Sequence, residues 1–257
     1  LFRFKAGTLV NFAMDLEEVY MTTKLDGQAT FFLPFNMGNG HGVTAGAGNP
    51  AFKDKYSVSY MWEDILTKDT ILDLISKFIF VEVKEKVDEE TGKVKRSENL
   101  IFPRYHQLDV IRKILADVRE NGTAQNYLIQ HSAGSGKSNS IAWLAHQLSS
   151  LHDNDAKAIF NSTIVITDRT VLDSQLQETI SSFEHKSGVV VGISREGSNE
   201  SKSTQLADAL ERGAKIIITT IQTFPFILEA IQKRTTLREN KYAIIADEAH
   251  SSQSGGT

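Results

Sequence analysis

Four short apolar runs in the second half of the chain constrain its fold more than any other feature. They are Tyr127-Leu128-Ile129, Thr163-Ile164-Val165-Ile166, Lys215-Ile216-Ile217-Ile218-Thr219 and Tyr242-Ala243-Ile244-Ile245-Ala246, and each leads into a stretch with helical spacing. Runs this continuous in β-branched residues suit strands buried on both faces, whereas a strand with one wet face would alternate apolar with polar. Helices between such strands are the connections that parallel neighbours require. The expectation is an α/β fold with a parallel, doubly wound sheet, whose ligands sit at the carboxyl ends of the strands.

The first hundred residues follow a different pattern. Leu9-Val10-Asn11-Phe12-Ala13-Met14 and Glu18-Val19-Tyr20-Met21-Thr22, separated by Asp15-Leu16-Glu17, predict a β-hairpin. Glycine-rich residues 36–50 predict a loop; Gly46-Ala47-Gly48-Asn49-Pro50-Ala51 spells a dinucleotide pattern, but no strand leads into it. Ile65, Leu66, Ile71, Leu72, Leu74, Ile75 and Phe78 predict a helix within 61–80. From Glu82 to Glu98 charges of both signs crowd around Thr91-Gly92, which suits a solvated linker or an exposed hairpin. The domain boundary is expected there, over 81–102.

Composition removes several function classes. The 257 residues contain no cysteine, which excludes disulfides, thiolate metal sites and thiol nucleophiles. No apolar run approaches the roughly 18 residues that span a bilayer, and the N-terminus lacks the signal-peptide succession, so the expected location is cytoplasmic with no membrane partner. A net charge of −4 offers no basic field for nucleic acid, so any DNA contact has to be local. The chain starts without Met and ends soon after an acidic motif, so it reads as a piece of a longer protein.

Chemistry concentrates at the ends of the apolar runs. Ser132-Ala133-Gly134-Ser135-Gly136-Lys137-Ser138 follows the first run and precedes a helix. Glycines allow successive N–H groups to face one triphosphate, the helix N-terminus adds its positive dipole end, Lys137 neutralises phosphate charge, and the Ser138 hydroxyl can ligate Mg²⁺. The strict motif would have glycine where His131 stands. Asp247-Glu248-Ala249-His250 ends the last run; a carboxylate there can hold a magnesium water shell, and the next glutamate can polarise an attacking water.

A phosphate loop joined to Asp-Glu-Ala-His resembles the superfamily 2 helicases and translocases. The resemblance implies a RecA-like first motor lobe over 103–257, with ATP and Mg²⁺ as cofactors. It assigns nucleotide contacts to Arg104, Gln107, Ala133, Gly134, Ser135, Gly136, Lys137 and Ser138. Ser138 and Asp247 become the metal residues, and Lys137, Asp247, Glu248 and His250 the catalytic ones. Thr167-Asp168-Arg169 and Thr219-Thr220-Ile221-Gln222-Thr223-Phe224 resemble that family's motifs Ia and Ib. This implies that Asp168, Arg169, Thr219, Thr220 and Gln222 grip a DNA backbone.

The wording of these motifs, with Leu172-Asp173-Ser174-Gln175-Leu176 and Ser251-Ser252-Gln253, resembles the restriction (R) subunits of type I restriction-modification enzymes. Those carry arginine where this chain has Ser251. Leu1-Phe2-Arg3-Phe4 and Phe32-Leu33-Pro34-Phe35-Asn36 are similar to the end of their nuclease domain. The resemblance implies that 1–80 closes a PD-(D/E)xK-type nuclease domain whose catalytic residues stand before Leu1, and that a second lobe with its arginine finger follows Thr257. The chain by itself is then a weak or inactive hydrolase. Implied partners are double-stranded DNA and the methyltransferase (M) and specificity (S) subunits. Two other readings stay open: a different superfamily 2 motor, such as an RNA helicase or a remodeller, and a scaffold module with a degenerate phosphate loop.

Overall fold

The structure is a computed structural model that describes residues 7–40, 46–87, 92–132, 134–167, 170–183, 190–192 and 202–247. It divides into two compact units, Leu1–Val110 and Ile111–Thr257. The division falls inside a helix, at 110/111.

In the first unit, β1 (Asn11–Met14), β2 (Val19–Thr22) and β3 (Leu33–Pro34) form an antiparallel sheet in that order. The β1–β2 turn is the predicted acidic break, where Asp15 accepts N–H bonds from Glu17 and Glu18 at 2.8 Å each. The expected 61–80 helix is two pieces: a π-helical turn at Met61–Ile65, then α1 (Lys68–Lys77). Thr67 separates them because its side chain accepts from the Thr70 N–H and restarts the helix. Glu82 to Glu98 takes the hairpin form: β4 (Phe80–Val87) pairs antiparallel with β5 (Val94–Ile101), from Phe80 opposite Ile101 to Val87 opposite Val94.

The helix α2 (Tyr105–Asn121) starts within the first unit. Its Tyr105 meets Phe35 and Tyr60 edge-on, with ring centroids 5.9 and 5.1 Å apart, and Phe12 and Phe102 pack against Phe35. Edge-to-face aromatic pairs of this kind add to the burial they provide. The start of α2 is therefore part of the first unit's core.

The second unit carries α3 (Lys137–Ser149), β6 (Ser162–Thr167), α4 (Thr170–Ser182), β7 (Val190–Gly192) and α5 (Lys202–Glu211). After them come β8 (Ile216–Thr220), α6 (Phe224–Lys233), α7 (Thr235–Arg238) and β9 (Tyr242–Ala246). The described sheet is wholly parallel, in the order β7-β8-β6-β9. The central strands β6 and β8 are buried along their whole length, as their β-branched runs predict. Alternate residues feed two cores. Val165, Ile216 and Ile218 pack with Ala142 and Ala145 of α3 and with Leu176 and Ile180 of α4. On the opposite face Ile164, Ile166 and Ile217 pack with Ala209, Leu210 and Ile227 of α5 and α6. The mixed α/β, doubly wound arrangement fits a RecA-like ATPase domain.

One predicted strand is absent from this sheet. Tyr127-Leu128-Ile129 pairs with no described strand, and Leu128 is 89% exposed. Both neighbours of β6 and of β8 are already taken, and only β7 and β9 have an open edge. The apolar pattern of the run signals burial that the four described strands do not supply. No helix among the described residues is long and apolar enough to cross a membrane.

Candidate functional site

The loop before α3 bends where the sequence has glycine. Gly134 and Gly136 take left-handed conformations, with φ of +72° and +83°, and the Ser135 N–H donates to the Ser132 carbonyl at 3.2 Å. Gly136 is the N-cap of α3, so no capping side chain covers the first helical turn. Its carbonyl accepts the Asn139 N–H at 3.1 Å and opens the helical ladder. Lys137 and Ser138 are thus the first two residues of the helix, half-buried and exposed respectively. A helix start with its positive dipole end, a lysine and a hydroxyl suits an anion that carries a cation with it. His131, standing where the strict motif has glycine, is half-buried beside this loop. Ala133 lies outside the described residues.

Two contacts fix which end of the sheet this helix start occupies. The chain leaves the carboxyl end of β6 to enter α4, so the far end of α4 lies at the amino end of the sheet. His146, near the end of α3, has its Nε2 2.8 Å from the Ile180 carbonyl near that far end, and its ring stacks on Phe183. The end of α3 is therefore at the amino side and its start, with Gly136 and Lys137, at the carboxyl side. The connection from Ser149 to Ser162, where β6 begins, agrees.

Asp247 reaches the same edge from β9. Its N–H donates to the Ile166 carbonyl at 2.9 Å, so the parallel ladder continues through it. Ile166 pairs with Ala246 and Thr167 with Thr220, which sets Asp247, Thr167 and Thr220 in one row across β9, β6 and β8. Alternation from Ile245, Val165 and Ile218 puts all three side chains on the face that α3 covers. The phosphate loop and the aspartate thus share one edge and one face. A hydroxyl and a carboxylate are an all-oxygen donor set that fits Mg²⁺, which binds few protein ligands and completes its shell with phosphates and water. Among the described residues no cluster of three His, Asp or Glu competes for a metal. Glu248 and His250 lie outside the described residues.

Residues 106–257, more than half of the chain, match the family described as the SWI2/SNF2 ATPase. The chain belongs to that family. Two curated relatives of this SWI2/SNF2 ATPase extend the likeness upstream. It is 23% identical over 235 residues to a Methanocaldococcus jannaschii protein assigned as the type I restriction enzyme MjaVIIIP endonuclease subunit, a match covering 80% of this chain and 21% of that protein. It is 29% identical over 198 residues to the type I restriction enzyme HindI endonuclease subunit of Haemophilus influenzae, covering 75% of this chain and 17% of that protein. The chain spans about a fifth of the length of these relatives. Their names agree with the R-subunit resemblance of the motifs.

The remaining predicted site residues of the ATPase separate by burial. Gln107 is only 3% exposed, and its Oε1 accepts the Arg104 N–H at 2.9 Å, closing the first turn of α2. Both belong to the first unit, while the phosphate loop belongs to the second. Asp168 and Arg169 lie outside the described residues. Thr219 is fully buried on the α5/α6 face, and Thr220 is buried with its hydroxyl 3.1 Å from that of Thr223. As they stand, those two hydroxyls are withdrawn from any ligand surface; Gln222 is exposed just beyond them. Sequence reading singled out no role for Thr167, although its place two residues after Val165, at a strand end, carries the signal.

Proposed function

We propose that this SWI2/SNF2 ATPase is part of the R subunit of a type I restriction-modification enzyme, an ATP-hydrolysing translocase and endonuclease subunit acting on double-stranded DNA. The observation that carries the nucleotide half is the common edge and face of the phosphate-loop helix start and Asp247. In this reading the amides and side chains of Gly134 to Ser138, with Ala133, cradle the triphosphate, and Lys137 offsets charge on its outer phosphates. Ser138 and Asp247 hold the magnesium, which supplies charge neutralisation at the phosphate oxygens when bound. Glu248 polarises the attacking water and His250 is a further catalytic residue, while Arg104 and Gln107 are nucleotide contacts by the family resemblance alone.

Asp168, Arg169, Thr219, Thr220 and Gln222 form the proposed strand-gripping surface, with Gln222 making the direct side-chain contact and the buried threonines shaping the loop that presents it. Residues 1–80 are the end of a nuclease domain, 81–102 its charged connection and 103–257 the motor lobe; M and S subunits are the partners, in the cytoplasm. Similarity to two restriction endonuclease subunits, reaching over three quarters or more of the chain, supports this reading over the remodeller alternative.

The test is titration of a fluorescent ATP analogue with Mg²⁺ against the wild-type chain, Lys137→Ala and Asp247→Asn. Lys137→Ala is expected to lose affinity by tenfold or more, on the order of one charge-assisted phosphate contact. Equal affinity in all three proteins rejects the nucleotide site and leaves the scaffold reading.

A further inference from the structure

The row at the carboxyl edge contains one group with no assigned task. Thr167 is 1% exposed, and its hydroxyl has no hydrogen-bond partner among the described residues. A buried hydroxyl left in that state is unfavourable, so its presence calls for a physical reason. Two other buried threonines share the condition, but their surroundings differ. Thr163 is level with Ile216 and Ala243 toward the amino end of the sheet, and Thr219 faces the opposite core. Neither has a carboxylate on the adjoining strand. Thr167 does, because the β6–β9 register sets Asp247 beside it on the same face. Adjacent strands are about 4.8 Å apart, a separation that a threonine and an aspartate side chain span with one hydrogen bond. The hydroxyl on the other flank, Thr220, already faces Thr223.

We infer that Thr167 is a positioning residue for Asp247: its hydroxyl, without a partner among the described residues as the chain stands, turns to donate to the Asp247 carboxylate when the site is loaded and keeps an oxygen toward the start of α3. The inference rests on the reading of Asp247 as the magnesium-facing carboxylate. It gives Thr167 an effect on metal affinity without any contact to nucleotide. A merely structural hydroxyl behaves differently, because the isosteric change Thr167→Val then removes an unpaired buried group and leaves metal affinity untouched.

The experiment is a Mg²⁺ titration of analogue binding by the 257-residue chain, its Thr167→Val and Thr167→Ser variants, and Asp247→Asn, with thermal melts on each. Thr167→Val is expected to raise the half-saturating Mg²⁺ concentration about fivefold or more, in line with one lost hydrogen bond to a charged group. Thr167→Ser, which keeps the hydroxyl, titrates as wild type. A metal response in Thr167→Val equal to wild type, while Asp247→Asn shifts, overturns the role of Thr167 alone. No shift in Asp247→Asn overturns the metal reading beneath it. Should Thr167→Val fail to fold, the serine variant decides: a shift with the hydroxyl present also overturns the inference.

Discussion

The imidazole Nε2 of His146 lies 2.8 Å from the carbonyl oxygen of Ile180, joining the last turns of α3 and α4. This contact, with Phe183 stacked on the ring at 5.6 Å, helps hold α3 so that its first turn faces the row of Asp247, Thr167 and Thr220. Replacing His146 by alanine removes a hydrogen bond and a ring contact. The expected loss is about 1–2 kcal/mol, read as a lower urea midpoint with unchanged slope. Nucleotide affinity in the folded fraction should fall less than in Lys137→Ala, since the loop residues themselves are intact. An unchanged midpoint would show that the apolar contacts of α3 suffice to orient it.

Buried threonines give predictions of the opposite sign. The hydroxyls of Thr163 and Thr219 are fully buried without partners among the described residues. Valine matches threonine in shape, so Thr163→Val and Thr219→Val remove an unsatisfied group without opening a cavity. Each is expected to stabilise the chain by about 1 kcal/mol, seen as a higher melting temperature. For Thr219→Val a marked loss of duplex affinity, unaccompanied by unfolding, would contradict its withdrawal from the surface; Gln222→Ala is the variant expected to weaken DNA binding.

The parts of this molecule legible in the sequence are those set by local pattern. The runs at 163–166 and 215–219 read as central strands because β-branched continuity reports burial on both faces, and the glycines before Lys137 read as a loop because only they accept positive φ without strain. The run at 127–129 carries the same signal and yet pairs with no described strand, since pattern reports a need for burial and not the partner that meets it. Thr67 broke a helix that apolar spacing alone drew as continuous, because a capping hydroxyl competes with the backbone ladder. The aromatic contacts of Tyr105 that tie the start of α2 to the first unit were not legible for a similar reason: they are long-range, and no local pattern encodes them. The strand-end place of Thr167 is legible in the sequence, but its neighbour Asp247 is not, because β-register joins two segments 80 residues apart.

The turn between β1 and β2 predicts an acid-sensitive contribution to stability. The N–H groups of Glu18 and Glu17 donate to the Asp15 carboxylate and hold its pKa below the usual value. A carboxylate depressed in the folded state contributes stability that is fully present above its unfolded pKa and is lost as pH falls through the folded pKa. Asp15→Ala should therefore lower the melting temperature at neutral pH, and the difference from wild type should shrink as pH is taken below the ordinary carboxylate range. Asp15 is fully exposed, so high salt is expected to reduce the effect as well. A difference that grows on acidification would assign the turn another anchor.

The phosphate loop offers a separation of backbone strain from ligand binding at Gly134. Its φ of +72° belongs to the left-handed region, and a Cβ added there meets nothing within 4 Å. Gly134→Ala therefore costs backbone energy alone, about 1–2 kcal/mol. Asparagine, which tolerates that conformation better than alanine, should recover part of the loss in a melt. Nucleotide affinity should fall in both variants beyond what stability explains, because a triphosphate cradled by the loop amides approaches closest where glycine leaves the backbone bare. If both variants bind the analogue as wild type does, the ligand does not approach the loop at this residue, and Lys137 then acts from the helix side of Gly136 only.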